Sequence, residues 1–170
     1  FFMKICGLTK TTLLDYPGKV AATIFLAGCN FRCPFCQNSS LVLQSEQQPD
    51  FSEDEILNFL KKRKGILDGV CITGGEPTLH KDLPDLLKKI KDLGYEIKLD
   101  TNGSRPQFLK EVIQEQLVDH IAMDIKSSQE SYPLLSGITH INIEAIRDSA
   151  ALLMNCGIDY EFRTTVVKEL

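Results

Sequence analysis

The sequence predicts an α/β fold organised around a parallel sheet, and three observations carry that prediction. Strand-like and helix-like segments alternate through most of the chain. The clearest strand-like segments are continuous apolar runs rather than polar–apolar alternations, as in sheets covered on both faces. The residues of unusual chemistry cluster just after predicted strands, at the end of the sheet where such folds bind ligands.

Residues 20–27, VAATIFLA, form an apolar and partly β-branched run that stops just before Cys29. The segment ahead of it, residues 7–19, contains the turn sequence Asp15-Tyr16-Pro17-Gly18. The N-terminal extension, residues 1–19, is therefore expected to add a short strand by a hairpin-like return. Phe1 and Phe2, ahead of Met3, are left out of the reading. Ser52 and Glu55 stand at capping-box spacing before Ile56, Phe59 and Leu60, which predicts a helix. Residues 69–73, GVCIT, read as the next strand and lead into Gly74-Gly75.

Leu83, Leu86, Leu87, Ile90 and Leu93 share one helical face, and Gly94 is placed to end that helix. Residues 95–99 read as a strand running into Asp100-Thr101-Asn102-Gly103. Pro106 suits an early helical position, with Leu109, Val112 and Ile113 as the buried stripe. A strand over residues 119–125 ends in Lys126, and residues 127–140 read as a loop of little periodicity. Ile143, Ile146, Ala150 and Leu153 predict a helix over 142–156, closed by Gly157, and residues 160–167 a last strand. There is no internal repeat and no low-complexity segment, so residues 1–170 are read as a single domain.

A chain of 170 residues with 43% hydrophobic and 25% charged residues can bury a core of its own. The net charge of −4 argues against a nucleic-acid surface. No apolar run reaches the roughly 20 residues that span a bilayer, and the N-terminus lacks the pattern of a secretory signal. A cytoplasmic protein, with no membrane partner, is the expectation.

Of the six cysteines, three fall within eight residues, in Cys29-Asn30-Phe31-Arg32-Cys33-Pro34-Phe35-Cys36. Cys6, Cys71 and Cys156 stand apart and suit small buried hydrophobes. A chain of this size does not need disulfide staples, so the cluster points to metal or redox chemistry. Three thiolates spaced C-x3-C-x2-C can hold three corners of an iron–sulfur cube and leave one iron open. Structural zinc sites close with four protein ligands, and a Cys3His site here would recruit distant His80. A redox pair of Cys33 and Cys36 would leave Cys29 unexplained. His120 and His140 carry no pattern of a catalytic role.

The cysteine loop, with Phe35 as the aromatic before its last cysteine, resembles the signature of the radical-SAM superfamily. Gly74-Gly75-Glu76-Pro77-Thr78 resembles that superfamily's glycine-rich segment. Asp100-Thr101-Asn102-Gly103 and Asp124-Ile125-Lys126 are similar to motifs of the glycyl-radical-enzyme activases. The opening Gly7-Leu8…Leu14-Asp15-Tyr16-Pro17-Gly18 and the 29–38 stretch look nearest to the activating proteins of anaerobic ribonucleoside-triphosphate reductase. The resemblance spans nearly the whole chain. The cysteine loop is specific to the superfamily, whereas the assignment to one activase rests on less specific residues.

The resemblance implies that Cys29, Cys33 and Cys36 hold a [4Fe–4S] cluster whose open iron is chelated by S-adenosylmethionine (SAM). One electron, from a flavodoxin or ferredoxin-type donor, then breaks the S–C5′ bond into methionine and a 5′-deoxyadenosyl radical. Gly74 and Gly75 would admit the methionine end closely, and Glu76 would accept hydrogen bonds from its ammonium. The competing reading of Glu76 is a tight βα turn with that residue opening a helix, Pro77 then being at N1. Lys126, and Arg163 on the last strand, would pair with the SAM carboxylate. Phe35 would flank the adenine or simply pack in the loop. Asp100 and Asp124 are further expected SAM contacts, and with Thr101 and the Met123 carbonyl they would bind a monovalent cation beside SAM, unless the acids only pair with Lys126 and form turns.

The expected partner is a glycyl-radical enzyme, in the first place anaerobic ribonucleotide reductase. The alternatives are another glycyl-radical enzyme, a small-molecule substrate, or a zinc-stabilised binding module without catalysis. The fold implied is a partial TIM-like (β/α) barrel of the radical SAM type. Relatives of this family usually continue through another helix and strand. The C-terminal part of the domain is thus expected to be absent, leaving a lateral opening for a protein loop.

Overall fold

A computed structural model describes residues 3–168. Six strands form one sheet in the order β1-β2-β3-β4-β5-β6. They are β1 (Ile5–Thr12), β2 (Ala21–Leu26), β3 (Gly69–Gly74), β4 (Glu96–Thr101), β5 (His120–Asp124) and β6 (Asp159–Arg163). β1 runs antiparallel to β2, and every later neighbour is parallel. Sequence order equals spatial order, as in the wall of a (β/α) barrel, and among the described residues the outer edges of β1 and β6 meet no further strand, Ile5 alone bridging to Phe51, so the barrel is partial.

The antiparallel start follows from the Asp15–Gly18 turn. Tyr16 is buried there, and a Cβ on Gly69 would stand 2.9 Å from its ring. Asp15 accepts a 2.5 Å hydrogen bond from Thr23 Oγ1, tying the turn to β2.

The crossovers are α2 (Glu53–Lys62), α3 (Leu83–Asp92), α4 (Pro106–Gln114) and α6 (Ile143–Met154), with short α1 (Ser39–Leu43) and α5 (Tyr132–Ser136). The α2 capping box is formed: Glu55 N–H donates to Ser52 Oγ and Ser52 N–H to Glu55 Oε2. Leu83, Leu86, Leu87 and Ile90 of α3 are fully buried. Each such side chain stabilises the fold by about 2 kcal/mol. They pack with Ile24, Ile72, Leu99 and Ile121, which point to the helical side of the sheet.

Alternate residues face the other way. On β4, Ile97 and Leu99 belong to the helix-facing core, so Lys98 and Asp100 face the concave side. Pairing places Lys98 beside His120, Ala122 beside Glu161, and Asp124 beside Arg163.

Two local expectations are corrected, and one short helix was not foreseen. The segment 127–140 contains α5, whose five residues are too few to show a period and whose last carbonyl is held by Arg32 N–H at 2.8 Å. α1 also escaped the reading, because only Leu41 of its SSLVL is buried. The last strand stops at Arg163 rather than 167, since its pairing with β5 ends at Asp124–Arg163. Among the described residues, no helix is long and apolar enough to cross a membrane.

Candidate active site

The cysteine loop leaves β2 at the carboxyl end of the sheet and is pinned from several sides. His80, buried beyond β3, donates from Nε2 to Ala27 O at 2.9 Å, at the entrance to the loop. Glu76 N–H donates to Gly28 O at 2.8 Å, and Arg32 Nη1 donates to the carbonyls of Cys29 and Phe31. Asn38 Nδ2 donates to Gly74 O at 2.9 Å, bringing α1 over the opening.

Cys29, Cys33 and Cys36 are free thiols on the wall of one cavity of about 530 Å³. Burial pushes the Cys29 thiol up to about 11 against the opposing hydrogen bond from Phe31 N–H. Burial also raises Cys33, with Lys126 pulling the other way. Thiols raised in this manner are held protonated and inert until a metal takes the proton's place. Cys6 and Cys71 are buried and Cys156 is half-buried, all three free, as isolated hydrophobes would be.

The glycines after β3 serve the chain's own packing. A Cβ on Gly75 would stand 1.8 Å from Gly28 O, and one on Gly74 2.3 Å from Leu26 O. Gly74 also has φ +122, a conformation L side chains rarely adopt. Glu76 is buried and completes the turn. Its Oε1 accepts from Thr78 N–H, Thr78 Oγ1 and Thr101 Oγ1, and its Oε2 accepts from Asn102 N–H. Burial raises its pKa, and those donors oppose the rise. Glu76 caps a single 3-10 turn, Pro77–Leu79, and Oε2, with one partner, is its less committed oxygen.

The other side of the cavity is ionic. Lys98, 1% exposed, lies 2.5 Å from Asp100 Oδ1 and 3.6 Å from Glu161 Oε1. Asp100 Oδ2 faces Arg163 at 3.4 Å, Arg163 Nε donates to Asp124 Oδ1 at 3.1 Å, and Lys126 donates to Asp124 Oδ2 at 2.9 Å. Six charges thus alternate in sign from Glu161 to Lys126. Burial lowers the pKa of Lys126 and of Arg163, yet their carboxylate neighbours prevail and both end above their ordinary values. Lys126 Nζ also sits 6.0 Å from the centre of the Phe35 ring.

Phe35, Gly74, Gly75, Glu76, Asp100 and Thr101 line this cavity, as do Asp124, Lys126 and Arg163. Met123 pairs with Thr101 across the sheet, and its side chain is buried against Gly103. An added cation between Asp100 and Asp124 would compete with Arg163, which already bridges them.

Asn102, on the cavity wall, was not foreseen as a site residue, nor were Lys98 and Glu161, which brace Asp100 and Arg163 from outside that wall. Lys98 left a trace, being a lysine between Ile97 and Leu99, two positions before Asp100.

Among the described residues, no three His, Cys, Asp or Glu side chains converge on a single ion, as a Cys3His zinc site would require. The three cysteines of a cube bind three different irons, so their sulfurs need not meet at one point. Three free thiols on one wall, facing paired charges across a cavity of small-molecule size, fit an iron–sulfur cluster with an organic ligand.

Fold and site together define an iron–sulfur enzyme on a partial barrel. The chain belongs to the radical SAM superfamily, which it matches over residues 23–169 and whose cofactors are a [4Fe–4S] cluster and SAM. Two relatives come from Methanocaldococcus jannaschii, both named as candidate glycyl-radical enzyme activating enzymes. One is 36% identical over 75% of this chain and 52% of its own length. The other is 39% identical over 64% of this chain and 40% of its own. The chain therefore spans about half the length, or less, of these relatives. The crystal structure of QueE from Escherichia coli superposes with a TM-score of 0.53 at 18% identity, over 96% of this chain and 94% of that one, a likeness of fold.

Proposed function

We propose that the protein cleaves SAM reductively and uses the resulting radical to take a hydrogen atom from a glycine of a partner enzyme. Anaerobic ribonucleoside-triphosphate reductase is the partner proposed, with a flavodoxin or ferredoxin-type protein as electron donor. The observation that carries the reading is the meeting of three free thiols and a chain of fixed charges on one cavity. The two activase-named relatives support the choice of a glycyl-radical enzyme as substrate.

In this reading Cys29, Cys33 and Cys36 hold the cluster, which supplies one electron to the SAM sulfonium when reduced. Lys126 and Arg163 orient the SAM carboxylate through charge-assisted hydrogen bonds. Glu76 Oε2 and the backbone at Gly74 and Gly75 meet the ammonium end, and Phe35 flanks the adenine. Asp100, Thr101, the Met123 carbonyl and Asp124 are the proposed oxygen donors to a monovalent cation. The cavity wall shields the radical from water.

Anaerobic incubation with SAM and a low-potential reductant tests the chemistry: 5′-deoxyadenosine forms and disappears in Cys33→Ala. The partner is tested by paramagnetic resonance, with a glycyl radical expected on anaerobic ribonucleotide reductase. 5′-Deoxyadenosine without any glycyl radical would reassign the substrate to another glycyl-radical enzyme or a small molecule.

A further inference from the structure

We infer that Asn102 is a positioning residue that donates a side-chain hydrogen bond to Cys29 and thereby raises the reduction potential of the cluster bound there. The inference rests on the cluster reading of Cys29, Cys33 and Cys36 and adds a residue to it.

Asn102 follows β4 directly and is buried, 5% exposed. Its amide orientation is forced. Ser104 N–H, which can only donate, points at one terminal atom of the side chain at 3.0 Å, so that atom is the oxygen Oδ1. The other terminal atom is therefore the nitrogen, with two N–H groups to place. One reaches Asn30 Oδ1 at 2.9 Å, and Asn30 is itself oriented by donating to Ser104 Oγ at 2.9 Å. The second is directed at Cys29 Sγ, 3.9 Å away, a long contact even for sulfur. The backbone of Asn102 is fixed as well, because its N–H donates to Glu76 Oε2 at 2.7 Å.

Cys29 Sγ also receives Phe31 N–H at 3.3 Å, so two N–H groups serve one sulfur. At Cys33 the sulfur lies 3.8 Å from the carbonyl of Ser136, which can only accept, and the positive charge acting on it is that of Lys126. A side-chain amide aimed at a cluster sulfur is thus a feature of the Cys29 corner. A neutral thiol accepts weakly. A thiolate bound to iron accepts strongly, and more so when the cluster carries the extra electron. Hydrogen bonds to cluster sulfurs consequently stabilise the reduced form and raise the potential.

The test uses the full 170-residue chain loaded anaerobically with iron and sulfide, its cluster reduced by dithionite with mediators at set potentials and followed by paramagnetic resonance. In Asn102→Asp the Ser104 contact survives while an anionic oxygen replaces the donor. At the potential where half the wild-type clusters are reduced, its reduced-to-oxidised ratio should fall about tenfold, equivalent to about 59 mV for one electron. Asn30→Ala, which removes the amide's other partner together with that partner's bond to Ser104 Oγ but leaves the Asn102 side chain in place, should keep the ratio within about twofold of wild type, well short of that tenfold step.

An unchanged ratio in Asn102→Asp with normal iron and sulfide content overturns the inference. If Asn102→Asp takes up no cluster, the comparison is read on Asn102→Ser. Failure of both to load, while Asn30→Ala loads, makes Asn102 a loop support and equally overturns it. A wild-type protein free of iron and sulfide would overturn the cluster reading itself, a result distinct from any of these.

Discussion

The two halves of the cavity wall are built by different means. The side formed after β2 and β3 consists of sulfur, glycine backbone and one buried carboxyl group, Glu76. The side formed by β4, β5 and β6 carries the paired charges Asp100, Arg163, Asp124 and Lys126, with buried Lys98 behind Asp100. On the first side, position is set by steric exclusion: Gly74 and Gly75 are packed against β2 and the cysteine loop with no room for a Cβ. On the second, position is set by electrostatics, each charge being held by a neighbour of opposite sign. Steric fit suits a rigid inorganic group with soft ligands, whereas preformed ion pairs suit the charged ends of an organic cofactor.

The largest effect should come from Cys33→Ala, which removes one corner of the thiol triad. Iron and sulfide in the anaerobically loaded protein should drop to near background, measured colorimetrically. Retention of a full complement would break the distinction between the two halves. Next is Gly75→Ala, whose Cβ would meet Gly28 O at 1.8 Å. Overpacking against backbone should cost about 3 kcal/mol or more, read as a lowered urea midpoint.

Lys98→Met tests the ionic half. It should cost roughly 2 kcal/mol, less than the 3–5 kcal/mol for stripping a buried charge of a sole partner, because Arg163 still faces Asp100. Urea unfolding measures it, and an unchanged midpoint would mean that the row of charges is self-supporting without Lys98.

The smallest effect is on pH dependence, and each half contributes one histidine. Burial lowers the pKa of His80 beside the cysteine loop, and burial, partly offset by Glu161, lowers that of His120 under the charged row. The unfolded chain takes up these protons first. Their contribution to stability is therefore complete above the ordinary value of 6.5 and is lost as pH falls through the folded values. Unfolding midpoints measured from neutral to mildly acidic pH should decline less steeply in His80→Gln and in His120→Gln, and comparison of the two shows which half is more acid-sensitive.

The parallel core was legible because residues 20–27 and 69–73 are uninterrupted apolar runs, and because the leucines of α3 repeat at helical spacing. The residues that line the cavity were legible as motifs placed after strands. Short elements were not: α1 and α5 are held by contacts with distant residues, such as Ser136 O with Arg32 N–H, and not by their own periodicity. The burial of Lys98 was hidden for the same reason, because its second partner, Glu161, lies on β6. Asn102 was visible only as a letter within Asp100-Thr101-Asn102-Gly103. Its direction depends on Asn30 and Ser104, and no local pattern encodes that.

The link between Arg32 and Ser136 has a bearing on biogenesis. It joins positions 104 apart in sequence, so the cysteine loop cannot reach its final shape until α5 has left the ribosome. At about 5–20 residues per second, that leaves the nascent thiols unsupported for roughly 5–20 s. With Cys29, Cys33 and Cys36 as the proposed cluster ligands, metal insertion belongs after synthesis of α5, and premature oxidation of these thiols is the hazard that a growing chain would face in air.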